Sequence, residues 1–139
     1  ESGVAVYGEQ RGAAVGDFNS DGRVDLAVSQ NGAATRLFEN AAAPPGLRVR
    51  LRGPSGNRPG IGAVVRTSDG QHWGPARLVS GGSGYWSQNS TTLLLTSPRV
   101  VRQILVVWPG GKRVHVEVPI QSRNLLIGES GAVDVDLVR

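Results

Sequence analysis

Apolar residues along this chain alternate with polar ones in short runs, each cut off by glycine or proline before a long helix can form. Leu47, Val49 and Leu51 interleave with Arg48, Arg50 and Arg52. A period of two sends the aliphatic side chains to one face of a strand and the guanidiniums to the other. Ile104, Val106 and Trp108 alternate up to Pro109-Gly110-Gly111, and Val114, Val116 and Val118 alternate after it. The pattern predicts a hairpin over Gln103 to Pro119 with the three valines on one face. Strands are expected near 12–16, 24–29, 34–39, 47–53, 61–67, 76–80, 91–96, 100–108, 112–118, 123–128 and 132–138. That spacing defines an all-β fold. In the last segment Val133, Val135 and Leu137 alternate with Asp134, Asp136 and Val138, which reads as an edge strand with acidic gatekeepers.

Ala41 to Pro45, followed by Gly46, interrupts the periodicity and divides the chain into a first domain, 1–43, and a second, 44–139. Gly53 to Gly60, rich in proline and glycine around Asn57, suits a tight loop, and Asp69-Gly70 a further turn. Charge changes at the same boundary. Residues 1–43 hold three basic and six acidic side chains, net −3; the remainder holds twelve and five, net +7.

The chain has 139 residues and no cysteine, which excludes disulfide, haem-attachment and cysteine-zinc chemistry. No apolar run approaches the roughly 20 residues of a membrane helix, and the first residues lack a signal-peptide pattern. Glu1 in place of an initiator Met fits either a mature chain or an excised piece. A basic surface can steer an anionic glycan, a membrane or a nucleic acid. Nucleic acid is the weakest of these, because no binding motif accompanies the charge.

The sharpest chemical signal is Asp17-Phe18-Asn19-Ser20-Asp21-Gly22-Arg23-Val24-Asp25. Oxygen-bearing side chains recur at relative positions one, three, five and nine, and Gly22 allows a tight turn. The backbone carbonyl of Arg23 can face inward while its guanidinium points outward. Asp17, Asn19, Asp21, Arg23 and Asp25 thereby form a coordination set for Ca2+, whose hard oxygen ligands and loose geometry fit better than copper, zinc or magnesium sites. The alternative is a solvent-exposed Asx turn without metal. An EF-hand is excluded: Val28 stands where its glutamate belongs, and flanking helices are missing from the pattern. Asp17 and Asp25 as a glycosidase pair explain less, because Asn19, Asp21 and Gly22 are then without a role.

The run Val15-Gly16-Asp17-Phe18-Asn19-Ser20-Asp21-Gly22-Arg23-Val24-Asp25-Leu26-Ala27-Val28 resembles an FG-GAP or VCBS-type β-propeller repeat, with Asn31-Gly32 and Leu37-Phe38-Glu39-Asn40 similar to its end. The resemblance implies calcium at the same five residues. Leu47 to Arg52, Asn57 to Ala63, Ser80 to Tyr85 and Trp108-Pro109-Gly110-Gly111 resemble the ASPIC/UnbV module. Together they imply one partial propeller-type repeat packed beside or before a small β-sandwich or barrel-like module, as in the C-terminal part of cartilage-acidic-protein-like proteins. Secretion or cell-surface display follows from that resemblance. One repeat cannot close a propeller, so missing repeats or a partner chain are expected to complete the fold.

Tyr85 and Trp86 in the glycine-rich segment Ser80 to Asn89 offer either a sugar-stacking rim or a core-closing turn. His72 and His115 are the only histidines, in contexts that specify neither metal nor nucleophile. Asp69, His72 and Ser80 lack the nucleophile elbow that a triad on this evidence of residue types alone would need. The expected function is a noncatalytic, calcium-binding extracellular adhesion or interaction module, with an extracellular protein or glycan as partner. The alternative is a carbohydrate or anionic-polymer-binding module, with a hydrolase behind it.

Overall fold

In the computed structural model, residues 3–84 and 88–135 are described, and their eleven strands assemble into three sheets. The chain is therefore all-β. It divides into two units, Glu1–Pro45 and Gly46–Arg139.

The first unit is an antiparallel sheet in the order β1 (Gln10–Gly16), β2 (Asp25–Gln30), β3 (Ala33–Phe38). Asn31 and Gly32 turn β2 into β3, with Gly32 at φ 70°, where glycine bears no steric penalty. Ala14, Ala27 and Leu37 lie in one cross-strand row. Val28 is the one buried hydrophobic residue among those described in this unit. Val15, Phe18 and Leu37 stay 73%, 54% and 61% exposed. Ala14, Phe18, Ala27 and Leu37 help to line an open apolar hollow of about 250 Å³.

The second unit has two four-stranded sheets. One runs β11 (Val133–Val135), β10 (Asn124–Gly128), β4 (Leu47–Arg52), β7 (Leu93–Leu95). The other runs β6 (Arg77–Leu78), β5 (Val64–Ser68), β8 (Gln103–Val107), β9 (Arg113–Glu117). β4 and β10 pair in parallel, whereas the remaining strand pairs are antiparallel. Both sheets contribute to one core cluster: Leu47, Val49, Leu51, Leu125 and Ile127 from the first, and Val65, Ile104, Val106, Val114 and Val116 from the second. Each large aliphatic buried there contributes roughly 1.5–3 kcal/mol.

The hairpin β8–β9 follows the alternation, with Val114 and Val116 buried and Val118 packed against the core. At its tip Gly111 N–H donates to the Trp108 carbonyl at 2.9 Å, and Gly110 takes φ 88° after Pro109. Proline followed by a left-handed residue is the arrangement of a type II turn, so Pro109 removes no ladder donor. Several strands are shorter than their patterns. The strand expected at 61–67 begins at Val64, because Gly60 and Gly62 turn the chain with φ 71° and 86°. The one expected at 100–108 begins at Gln103, and 76–80 contracts to Arg77–Leu78. β11 is an edge strand; the expected continuation through Asp136 and Leu137, like the Tyr85 and Trp86 rim, lies outside the described residues.

Candidate metal-binding turn

Asp17 follows the last residue of β1 and Asp25 opens β2, so the intervening loop must reverse direction between neighbouring strands. Ser20 at φ 64° and Gly22 at φ 85° supply the left-handed backbone for that reversal. Three side chains coil the loop by accepting backbone amides: Gly22 N–H donates to Asp17 Oδ2 at 3.0 Å, Asp21 N–H to Asn19 Oδ1 at 3.1 Å, and Arg23 N–H to Asp21 Oδ1 at 2.8 Å. These are the short-range bonds that let Asp and Asn specify turns.

Asp25, 2% exposed, ties the loop down from the other end. Its Oδ2 accepts Phe18 N–H at 3.2 Å and its Oδ1 accepts Asn40 N–H at 2.9 Å. Asn40 reaches it because Leu26 pairs with Phe38, so the register of β2 and β3 brings residues 39 and 40 beside the start of β2. Asn19 Nδ2 donates to Asp21 Oδ2 at 3.2 Å and to Glu39 Oε1 at 3.0 Å. Glu39 and Asn40 thus belong to the turn, although the linear pattern ends at Asp25. The missing signal is the hairpin register, which places residues 15 to 20 positions apart side by side.

The Arg23 guanidinium does not point away, as its sequence position suggested. Nη1 donates to Asp21 Oδ2 at 2.8 Å and Nε to the Ala43 carbonyl at 2.6 Å. With the Asp21 and Arg23 side chains only 22% and 27% exposed, the attraction of a nearby carboxylate and the Ala43 carbonyl outweighs hydration of the guanidinium. Desolvation pushes the Asp21 carboxyl up, but the bonds from Arg23 and Asn19 prevail and leave it below its ordinary value.

The donors are oxygens throughout, the right kind for a hard cation. A carboxylate offers about four lone-pair sites, so accepting one or two amides leaves capacity for a metal. The three carboxylates are not drawn into one group: among the described residues, no cluster of three or more His, Cys, Asp or Glu side chains is arranged to hold a metal ion. The chain's own hydrogen bonds shape the turn, and Asn19 and a backbone carbonyl make up the rest of the proposed oxygen set.

A second polar cluster lies in the other unit. Arg99 Nη1 donates to Asp69 Oδ2 at 2.7 Å and lies 3.0 Å from His72 Nδ1. Asp69 Oδ1 also accepts the amides of Gln71 and His72, at 2.9 and 2.7 Å. Ser80 Oγ donates instead to the Gly82 carbonyl at 2.9 Å, a local turn bond rather than a nucleophile's link to His72. His115 faces outward on β9, with the Trp73 ring edge-on at 6.0 Å.

These observations define an all-β chain whose larger unit is a double-sheet module with a glycine-rich loop and a Trp-Pro-Gly-Gly turn. The family model described as ASPIC and UnbV matches residues 53–134, more than half of the chain, and the chain belongs to that family. No curated protein and no solved structure matches it. Among the described residues no helix is long and apolar enough to cross a membrane.

Proposed function

We propose that this chain is a noncatalytic, calcium-binding interaction module of secreted or cell-surface proteins, in which a partial FG-GAP/VCBS-like repeat at 1–43 precedes an ASPIC/UnbV domain at 44–139. The observation that carries the calcium reading is the coil at 17–25, where Asp17, Asn19 and Asp21 each accept an amide from the same loop. Asp17, Asn19, Asp21, the Arg23 carbonyl and Asp25 are the proposed ligands. The exposure of Val15, Phe18 and Leu37 supports a repeat whose open face is covered by neighbouring repeats or a partner chain. The shared core of the two larger sheets supports a small β-sandwich as the second domain.

Metal analysis with calcium and EDTA titrations tests the reading. One bound calcium per chain is expected, with slower amide exchange over residues 17–25, and Asp21→Ala is expected to weaken both. Magnesium at matched ionic strength is expected to compete poorly. Calcium without effect on exchange in that segment would sink the proposal.

The outward arginines of β4 favour a second reading, in which the larger unit binds a carbohydrate or an anionic polymer.

A further inference from the structure

One strand edge of the second unit is long and open enough to take another strand. β7 and β11 have three residues each and β6 has two, short edges of the kind that resist pairing. β9 runs over Arg113–Glu117, with β8 on one side and, among the described residues, no strand on the other. Trp108 N–H donates to the Lys112 carbonyl and Val118 N–H to the Arg102 carbonyl, both at 2.8 Å. Backbone direction alternates along an antiparallel strand, so Lys112, Val114, Val116 and Val118 turn their N–H and C=O groups towards β8. Those of Arg113, His115 and Glu117 point away from it, and among the described residues no backbone group bonds to them. Pro109-Gly110 bounds this edge at one end and Pro119 at the other.

The side chains along that edge are self-complementary in charge. Val114 and Val116 are buried against the core, while Arg113, His115 and Glu117 are exposed on the other face. An antiparallel strand of the same sequence, centred on His115, sets Arg113 opposite Glu117 of a second copy and Glu117 opposite its Arg113. Opposite charges facing each other across a strand pair attract, and like charges repel. The same register sets Val114 against Val116 of the second copy, and it makes residues 113, 115 and 117 the positions where both N–H···O bonds are exchanged. A slip of one residue turns the charged side chains to the valine face. A slip of two sets His115 against Arg113 or Glu117 and takes the remaining charge out to Gly111 or Pro119. Parallel pairing in register sets Arg113 against Arg113. Gln103 Nε2 donates to Glu117 Oε1 at 2.9 Å, which leaves the other carboxylate oxygen to accept a guanidinium. A foreign extended peptide would meet the open amides but not this match of charges.

We propose that this chain pairs with a second copy of itself through β9, in a two-fold antiparallel register centred on His115, so that two four-stranded sheets join into one continuous sheet with an Arg113 to Glu117 ion pair at each end of the junction. The pairing goes beyond the calcium and carbohydrate readings and depends on neither.

Sedimentation equilibrium of the full chain over a concentration series, in EDTA and in calcium, tests the proposal. A monomer–dimer equilibrium is expected in both, with amide exchange at Arg113, His115 and Glu117 slowing as the dimer forms. Arg113→Glu sets Glu against Glu at both ends of the junction, and Glu117→Arg sets Arg against Arg, so either variant alone is expected to raise the dimer Kd about 10-fold. An equimolar mixture of the two variants is expected to recover the affinity as a heterodimer, because every facing pair is then of opposite charge. His115→Pro removes an N–H that points away from β8, and is expected to abolish the dimer while the monomer stays folded. A chain that is monomeric at every concentration, a dimer that neither reversal weakens, or a mixture no tighter than its components would overturn the proposal. A dimer that protects the amides of the first unit and leaves those of β9 exchanging freely would overturn it as well, and would move the contact to the exposed Val15, Phe18 and Leu37. If a reversal variant does not fold, exchange in the unaltered chain decides alone: rates at Arg113, His115 and Glu117 that do not change with concentration are equally decisive against it.

Discussion

Asp25 Oδ2 accepts the amide of Phe18 at 3.2 Å, so the first residue of β2 closes the acidic turn that leads into it. Its other oxygen takes Asn40 N–H at 2.9 Å, joining that turn to the segment after β3. One buried carboxylate thus satisfies two backbone donors from separate parts of the first unit.

Removing that carboxylate leaves both amides without their acceptor. Asp25→Ala is expected to destabilise the first unit by about 2–3 kcal/mol, with faster exchange at Phe18 and Asn40 even in EDTA. Asp25→Asn, which keeps one acceptor oxygen, should fall between. Asp21→Ala should instead show its largest deficit when calcium is added. Denaturant titration with amide exchange separates the two, and a loss in Asp25→Ala that disappears in EDTA would assign Asp25 to metal binding alone.

In the second unit Asn57 holds the loop after β4: its Nδ2 donates to the Ile61 carbonyl at 2.8 Å, and its Oδ1 accepts Ile61 N–H at 2.9 Å. Asn57→Ala is expected to cost about 1–2 kcal/mol through two lost bonds. Gly60→Ala should cost more. Gly60 sits at φ 71°, and an added Cβ would lie 3.0 Å from Leu51 Cβ and 3.1 Å from the Trp108 ring. Backbone strain then adds to overpacking, for a combined loss of about 2–4 kcal/mol in thermal or denaturant unfolding.

The Arg99 guanidinium, helped by the His72 and Gln71 amides, holds the Asp69 carboxyl well below the usual carboxylate range. A carboxylate depressed in the folded state contributes stability fully above its unfolded value of about 3.9, and loses it as pH falls through the folded value. The stability difference between the unaltered chain and Asp69→Asn should therefore be flat from about pH 8 to about pH 5 and narrow only in stronger acid. A difference that already narrows between neutral pH and about 5 would show that the Asp69 carboxyl is not held low by Arg99.

The alternation in Leu47 to Arg52 and across Trp108-Pro109-Gly110-Gly111 was legible as strand, turn and strand, because side-chain direction and turn conformation depend on a few neighbouring residues. The curl of the acidic loop was legible for the same reason: Asp and Asn bond amides two to five residues away. Arg23 was misread because its partner oxygens include the Ala43 carbonyl, twenty residues on. Glu39 and Asn40 were legible only as the end of a repeat and not as part of the acidic turn, because only the β2–β3 register carries them there.

Strand content, the inward and outward faces of β4, and the family to which residues 53–134 belong are all local in origin, carried by hydrophobic period, turn residues and motif spacing. The parallel pairing of β4 with β10 and the tether from Arg99 to Asp69 were decided by the folded chain. An aliphatic strand face fits against many others, and which partner it takes depends on how the whole core packs, a property no short stretch of residues encodes.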